Sequence, residues 1–230
     1  MRSPFPEQAV SLQGIGMSRI TTIFFDFGGV IADSPFTNLS RYEREQGLPA
    51  DFIRLTNADN PDNNAWACFE RGEMDLDQFD RRFRAETRAR GHEIPGRDLI
   101  PLLQVEVRPA MITLLDQLRA KGLRLACLTN NLPIGDGPGM SQDSAHAGKV
   151  AEVLNRFELV LESCRVGTRK PEPAFFRLVC EKMAVTPEEV IFLDDLGINL
   201  KPARAMGMTT IKVVSAEQAI EALAFVLKSR

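Results

Sequence analysis

The sequence predicts a doubly wound α/β fold, a mainly parallel sheet with helices between its strands and a small helical cap inserted after the first strand. Three observations carry this. Apolar runs that suit buried strands recur at residues 23–25, 123–128, 159–161, 190–193 and 209–214. From Arg108 onward these runs alternate with stretches at helical spacing, the pattern that right-handed crossovers produce. Between Pro35 and about Val105 the strand signal lapses while helical signals continue.

The chain of 230 residues suits one domain with an insertion, or two small ones. Hydrophobic and charged contents of 44% and 26% are those of an ordinary soluble protein. A net charge of -3 leaves no basic footprint, which argues against a nucleic-acid partner. No apolar run is long enough to span a bilayer, so membrane insertion is not expected. Cys68, Cys127, Cys164 and Cys180 are scattered and only His92 and His146 accompany them, which disfavours zinc and suits free thiols in the reducing cytoplasm. Residues 1–18 lack a secretory core and carry two prolines and two glycines, so they read as a flexible tail; Met17 is a possible alternative start.

Taken in order, Ile23, Phe24 and Phe25 make a buried strand that ends on Asp26, followed at once by Gly28 and Gly29. Ending such a strand on a charge is costly unless the charge is paired or metal-bound. In the insert, Thr37 can cap a helix with Leu39 and Tyr42 that stops at Gly47, and Asn64 one with Trp66 and Phe69 that stops near Gly72. Asp75 with Gln78 forms a capping box before the stripe Leu76, Phe79, Phe83, and the arginines of that stretch make a solvated face. Pro109 opens the next helix and Gly122 ends it. The second strand ends in Thr129-Asn130-Asn131, and the glycine-rich segment 135–148 reads as a mobile loop. Val150, Val153, Leu154 and Phe157 mark a helix; a short strand and Arg169-Lys170-Pro171 follow, and then a helix carrying Phe175, Phe176 and Val179. Thr186 with Glu189 makes another capping box, the fourth strand ends in Asp194-Asp195, and Ser215 with Gln218 opens the last helix. The expected layout is thus a core of residues 19–34 and 106–230 with a cap of residues 35–105.

Open α/β sheets bind ligands at the carboxyl ends of their strands. Asp26, Thr129-Asn130 and Asp194-Asp195 all stand at such ends, and Lys170 enters from the loop before a helix. A carboxylate nucleophile, a carboxylate pair for Mg²⁺, and hydroxyl, amide and ammonium groups for phosphoryl oxygens are the parts that phosphoryl transfer needs.

The runs D-F-G-G-V, L-T-N-N, R-K-P-E-P and F-L-D-D-L-G-I-N-L-K-P-A-R, in that order, resemble the four motifs of the haloacid dehalogenase (HAD) superfamily. The stretch L-E-S-C-R-V-G-T-R-K-P-E-P is similar to the subgroup that includes the phosphatase domain of soluble epoxide hydrolase and the HAD domain of acyl-CoA dehydrogenase family member 10. This resemblance implies a Rossmann-like sheet with a small cap between the first two motifs. It implies Asp26 as nucleophile and Mg²⁺ ligand, with the Gly28 backbone carbonyl and Asp195 as further ligands and Asp194 beside them. Thr129 and Lys170 would be catalytic and would bind phosphate together with Asn130. The expected activity is Mg²⁺-dependent hydrolysis of a small phosphate monoester through an aspartyl-phosphate.

One position departs from the pattern. Phosphatases of this superfamily carry a second Asp two residues after the nucleophile as general acid and base; Gly28 stands there. Asp33 is the nearest substitute in sequence. Two alternatives therefore stay open: a weakly active or regulatory protein that binds phosphate ligands, and a dehalogenase-type hydrolase. Substrate identity and oligomeric state are not legible.

Overall fold

A computed structural model describes residues 19–134 and 144–229. The expected N-terminal tail and the first part of the expected loop, residues 135–143, lie outside the described residues.

The chain opens on β1 (Thr22–Phe25), all four residues buried. The insert follows with α1 (Phe36–Glu45), α2 (Phe52–Ala58), α3 (Ala65–Glu70) and α4 (Leu76–Ala89), then a 3₁₀ stretch Gly96–Leu103. Next come α5 (Pro109–Ala120), β2 (Arg124–Thr129), α6 (Ser144–Leu154), β3 (Leu159–Glu162) and the short α7 (Ser163–Val166). Completing the chain are α8 (Pro173–Met183), β4 (Val190–Asp194), α9 (Gly197–Ala205), β5 (Thr209–Lys212) and α10 (Ala216–Lys228).

All neighbouring strands pair in parallel, in the order β3-β2-β1-β4-β5. Phe25 stands level with Cys127 on one side and Leu193 on the other, so β1, β2 and β4 end side by side. The chain runs from β1 outward through β2 and β3, then returns to the other side of β1 for β4 and β5. That reversal places a crevice between the ends of β1 and β4.

Alternation along the strands supplies both faces of the sheet. Ile23 and Phe25, with Leu125, Cys127, Ile191 and Leu193, pack against Leu115 of α5 and Leu223 of α10. Phe24, Ala126, Leu128 and Phe192 pack on the other face against Phe176 of α8 and Ala203 of α9. Burying a phenylalanine such as Phe24 contributes about 2–3 kcal/mol before entropy is charged against it. The insert gathers around a separate apolar cluster in which Phe69 stacks on Phe79 at 4.5 Å between ring centres.

Several local readings differ from expectation. Helix α1 begins at Phe36 after Pro35, so Thr37 lies inside it rather than capping it. Helix α2 follows Asp51, whose side chain makes no cap bond, and is capped at a distance instead: Glu43 accepts from the backbone N–H groups of Asp51 (3.1 Å) and Ile53 (2.8 Å). Ser144 to Gly148, expected as loop, open α6. The capping groups Asn64, Asp75 and Ser215 all accept the hydrogen bonds that their sequence context predicts.

Candidate active site

Parallel pairing continues one residue past β1, where the Asp26 N–H donates to the Leu193 carbonyl at 2.9 Å. The backbone then breaks at Gly28 (φ -68°, ψ 132°) and Gly29 (φ 78°, ψ -10°), and the turn closes when Ala32 N–H reaches the Phe27 carbonyl. At Gly29 a glycine is required twice over. Its φ is left-handed, and a Cβ there would stand 2.3 Å from Asp195 Oδ2. Gly28 is different: a Cβ there would meet only the Pro35 ring, at an ordinary 3.5 Å.

Lys170 is the centre of the charge cluster. Its side chain is almost wholly buried, and Nζ donates to Asp26 Oδ1 (2.8 Å), Asp194 Oδ2 (2.9 Å) and the Leu128 carbonyl (2.9 Å). Asp26 Oδ1 also accepts from the Phe27 N–H at 2.7 Å, so neither bond falls on Oδ2. Asp194 is held by three partners: Lys170, the Leu196 N–H at 2.8 Å and Asn199 Nδ2 at 3.1 Å. Asp195 forms no ion pair among the described residues. Oxygens of Asp26, Asp194 and Asp195 lie within 4.8 Å of one another.

Three carboxylates against one ammonium leave this buried cluster short of positive charge. Burial pushes Asp26 up to about 8 against the opposing pull of Lys170, and the Asp194 and Asp195 charges add to the rise. Asp195 is pushed up to about 6, by burial first and by Asp194 next. Burial alone would lower the Lys170 ammonium, but Asp194 and Asp26 hold it above its ordinary range.

The cluster forms the foot of a cavity of about 520 Å³ between the insert and the strand ends. Asp26, Gly28, Thr129, Asn130, Lys170 and Asp195 line it from the sheet side; Phe36, Leu39 and Trp66 line it from the insert. Asp194 is fully buried behind them. Every site residue expected from the sequence is thus brought to one place. Asn130 arrives with its amide already engaged: Oδ1 accepts from Lys170 N, and Nδ2 donates to Lys170 O, both at 2.9 Å. Asp33 is not among the cavity residues; its carboxylate pairs with Arg108 at 3.0 Å. Arg108 also donates to the Gly29 carbonyl at 3.1 Å, which ties down the turn.

Sequence reading missed three residues that shape the site: Asn199, which holds Asp194; Arg108, which holds the turn; and Glu70, which joins the insert to Asn130 at 3.2 Å. Asn199 lies five residues beyond Asp194, in the first turn of α9 and within the run F-L-D-D-L-G-I-N, which was the signal for it. No local signal marks the other two.

Comparison with known proteins follows the same lines. Residues 20–207 match the family of haloacid dehalogenase-like hydrolases. Mouse acyl-CoA dehydrogenase family member 10 is 34% identical over 206 residues, covering 87% of this chain and 18% of the relative. Mouse bifunctional epoxide hydrolase 2 is 31% identical over 210 residues, covering 86% of this chain and 37% of the relative. The chain therefore spans well under half the length of either. A HAD family enzyme from Bacteroides thetaiotaomicron, solved in complex with magnesium and inorganic phosphate, superposes with a TM-score of 0.52 at 19% identity. That likeness covers 85% of this chain and 96% of the other, and it is one of fold. With its parallel sheet, three motifs at strand ends and a fourth in the loop before α8, and a match over most of its length, the chain belongs to the haloacid dehalogenase-like hydrolases.

Proposed function

We propose that the chain is a Mg²⁺-dependent phosphatase that cleaves a small phosphate monoester through an aspartyl-phosphate on Asp26. One observation carries the reading: Asp26 sits at the foot of the cavity with Oδ1 held by Lys170 and Phe27 N–H, which leaves Oδ2 for attack. The division of labour that we propose assigns the chemistry to residues 19–34 and 106–230 and the cover over the cavity to residues 35–105.

The donor set fits a hard cation. Clustered carboxylate oxygens with raised proton affinity and too little neighbouring positive charge suit Mg²⁺. Asp26, Asp195 and the Gly28 carbonyl would hold the ion, while Asp194, already engaged by Lys170 and Asn199, would orient or complete the set. Bound there, Mg²⁺ would offset the carboxylate charge, keep Asp26 ionised and polarise the phosphoryl group. Magnesium and phosphate in the Bacteroides enzyme of the same fold support this assignment.

The steps fall to the chain's own residues. Asp26 Oδ2 attacks phosphorus while the bond to the ester oxygen breaks, and that oxygen leaves with the electron pair. It takes its proton from water, because Gly28 offers none. Thr129, Asn130 and Lys170 line the cavity beside Asp26: the Thr129 hydroxyl would meet a phosphoryl oxygen, the Lys170 charge would stabilise the phosphoryl group, and Asn130 would hold that lysine's backbone in place. A water then attacks phosphorus of the aspartyl-phosphate, the bond to Asp26 breaks, and inorganic phosphate leaves with the carboxylate restored.

Asp33 does not supply the missing acid in this arrangement, since it is paired with Arg108 away from the cavity. Substrates with good leaving groups are accordingly favoured. Metal-free attack on a halocarboxylate is disfavoured, since without Mg²⁺ the substrate's own carboxylate would face a site already rich in negative charge. The test is turnover of an aryl phosphate and of 2-chloropropionate, each with Mg²⁺ and with chelator, using Asp26→Asn as control. Mg²⁺-dependent phosphate release by the wild type alone is expected. Magnesium binding without turnover would support a regulatory protein instead, and metal-independent halide release a dehalogenase.

A further inference from the structure

We propose that Glu70 is a positioning residue that holds the phosphate-binding loops in register through Asn130; this rests on the phosphatase reading above. Glu70 is the last residue of α3, on the insert side of the cavity, and is buried. Its Oε2 accepts from Asn130 Nδ2 at 3.2 Å and from Arg169 Nε. Its Oε1 accepts from Trp66 Nε1 at 3.0 Å.

These bonds form a chain with a direction. The Asn130 amide clasps both backbone polar groups of Lys170, and its second Nδ2 hydrogen goes to Glu70. A carboxylate on the insert therefore fixes the amide that fixes the Lys170 backbone, and Lys170 Nζ fixes Asp26. The join is built on its flanks as well. Arg71 pairs with Glu172 at 3.1 Å, and Gly72 packs so closely on the Cys164 carbonyl that a Cβ would stand 2.5 Å from its oxygen.

The chemistry requires a carboxylate. Asn130 Nδ2, Arg169 Nε and Trp66 Nε1 are all donors, and only an acceptor without hydrogens satisfies all three. Glu70→Gln can keep its single carbonyl oxygen on Asn130 and Arg169 by turning its NH₂ toward Trp66, so it spares the Asn130 bond. Glu70→Ala removes both acceptors and should release the Asn130 amide and with it the Lys170 loop. A misplacement of about 1 Å at a reacting centre costs about 100-fold.

The test compares steady-state kinetics on an aryl phosphate with Mg²⁺ for five proteins: wild type, Glu70→Ala, Arg71→Met, Asn130→Ala and the Glu70→Ala, Asn130→Ala double variant. Glu70→Ala should lower kcat by about 10- to 100-fold with a smaller change in KM. Arg71→Met breaks the flanking pair without touching Asn130 and should leave kcat within about threefold. In the Asn130→Ala background Glu70→Ala should cost less than about twofold further, because its route to Lys170 is already cut. Trp66 is the chain's single tryptophan, so a shift of its emission in Glu70→Ala reports the altered join directly, and circular dichroism checks that the variant folds. If Glu70→Ala is misfolded, Glu70→Asp takes its place with the same expected split. Wild-type kcat in a folded Glu70 variant, or a full additive loss in the Asn130→Ala background, would overturn the proposal alone. An inert wild type would refute the phosphatase reading and this inference with it.

Discussion

Replacing Lys170 with methionine tests the electrostatic core of the site. The side chain is 1% exposed, and its ammonium makes contacts of 2.8–2.9 Å with Asp26, Asp194 and the Leu128 carbonyl. Methionine fills much the same volume but leaves two buried carboxylates and a carbonyl without that partner. Breaking a buried ion pair from one side costs about 3–5 kcal/mol, and stranding an acceptor about 1–3 kcal/mol. Proton uptake limits the sum, because Asp26 already lies up at about 8 with Lys170 present and rises further without it. The expected loss is therefore about 3–5 kcal/mol near pH 8 and changes little down to pH 5. Linkage sets this: an acid whose folded-state pKa is raised binds more protons folded than unfolded, so stability falls as pH climbs toward the folded value, and it falls in parallel in both proteins because both folded states hold the Asp26 proton over most of that range. Urea unfolding at the two pH values, with a chelator present, measures it. A folded Lys170→Met protein within about 1 kcal/mol of wild type near pH 8 would refute the reasoning that this ammonium neutralises the cluster.

Gly28→Asp should raise turnover of alkyl phosphates by about 100-fold or more relative to aryl phosphates, the order that a general acid supplies, since the new Cβ meets only Pro35 at 3.5 Å. An unchanged alkyl-to-aryl ratio in a folded, metal-binding variant would show that proton donation is not what is missing. Mg²⁺ should raise Tm more at about pH 8 than at about pH 5. Asp26 and Asp195, raised to about 8 and about 6, destabilise the metal-free fold progressively as pH climbs toward those values, and the cation reverses this; a Tm gain equal at both pH values would contradict it. Gly29→Ala should cost about 1–2 kcal/mol through its left-handed backbone and should weaken Mg²⁺ binding, because the added Cβ would push on Asp195. Calorimetric titration with Mg²⁺ would detect the change, and an unaltered affinity would remove Asp195 from the metal site.

What could be read from sequence was local or periodic. Buried strands announce themselves as apolar runs, and a carboxylate at the end of such a run, as at Asp26 and Asp194, is costly enough to call for a partner or a metal, which the other strand ends then supply. Caps made within four residues, at Asn64, Asp75 and Ser215, were legible for the same reason. Long-range caps and clamps were not. Helix α2 depends on Glu43 of the preceding helix, and Asn130 is spoken for by the Lys170 backbone and by Glu70, sixty positions away in the chain. Asp33 illustrates the opposite error: it is near Asp26 in sequence, but the turn at Gly28 and Gly29 carries it to Arg108 instead. Gly29 reads from sequence as a sharp turn or a close approach to a ligand, whereas its decisive neighbour, Asp195, comes from a strand end far along the chain.

The most direct test asks where the phosphoryl group goes. Wild-type protein mixed with an aryl phosphate and Mg²⁺, quenched with acid during turnover and mapped by mass spectrometry, should carry one phosphoryl group on the peptide containing Asp26. Asp26→Asn should carry none and release no phosphate. Phosphate release with no covalent label under conditions that trap acyl phosphates, or a label on any other residue, would contradict Asp26 as the nucleophile.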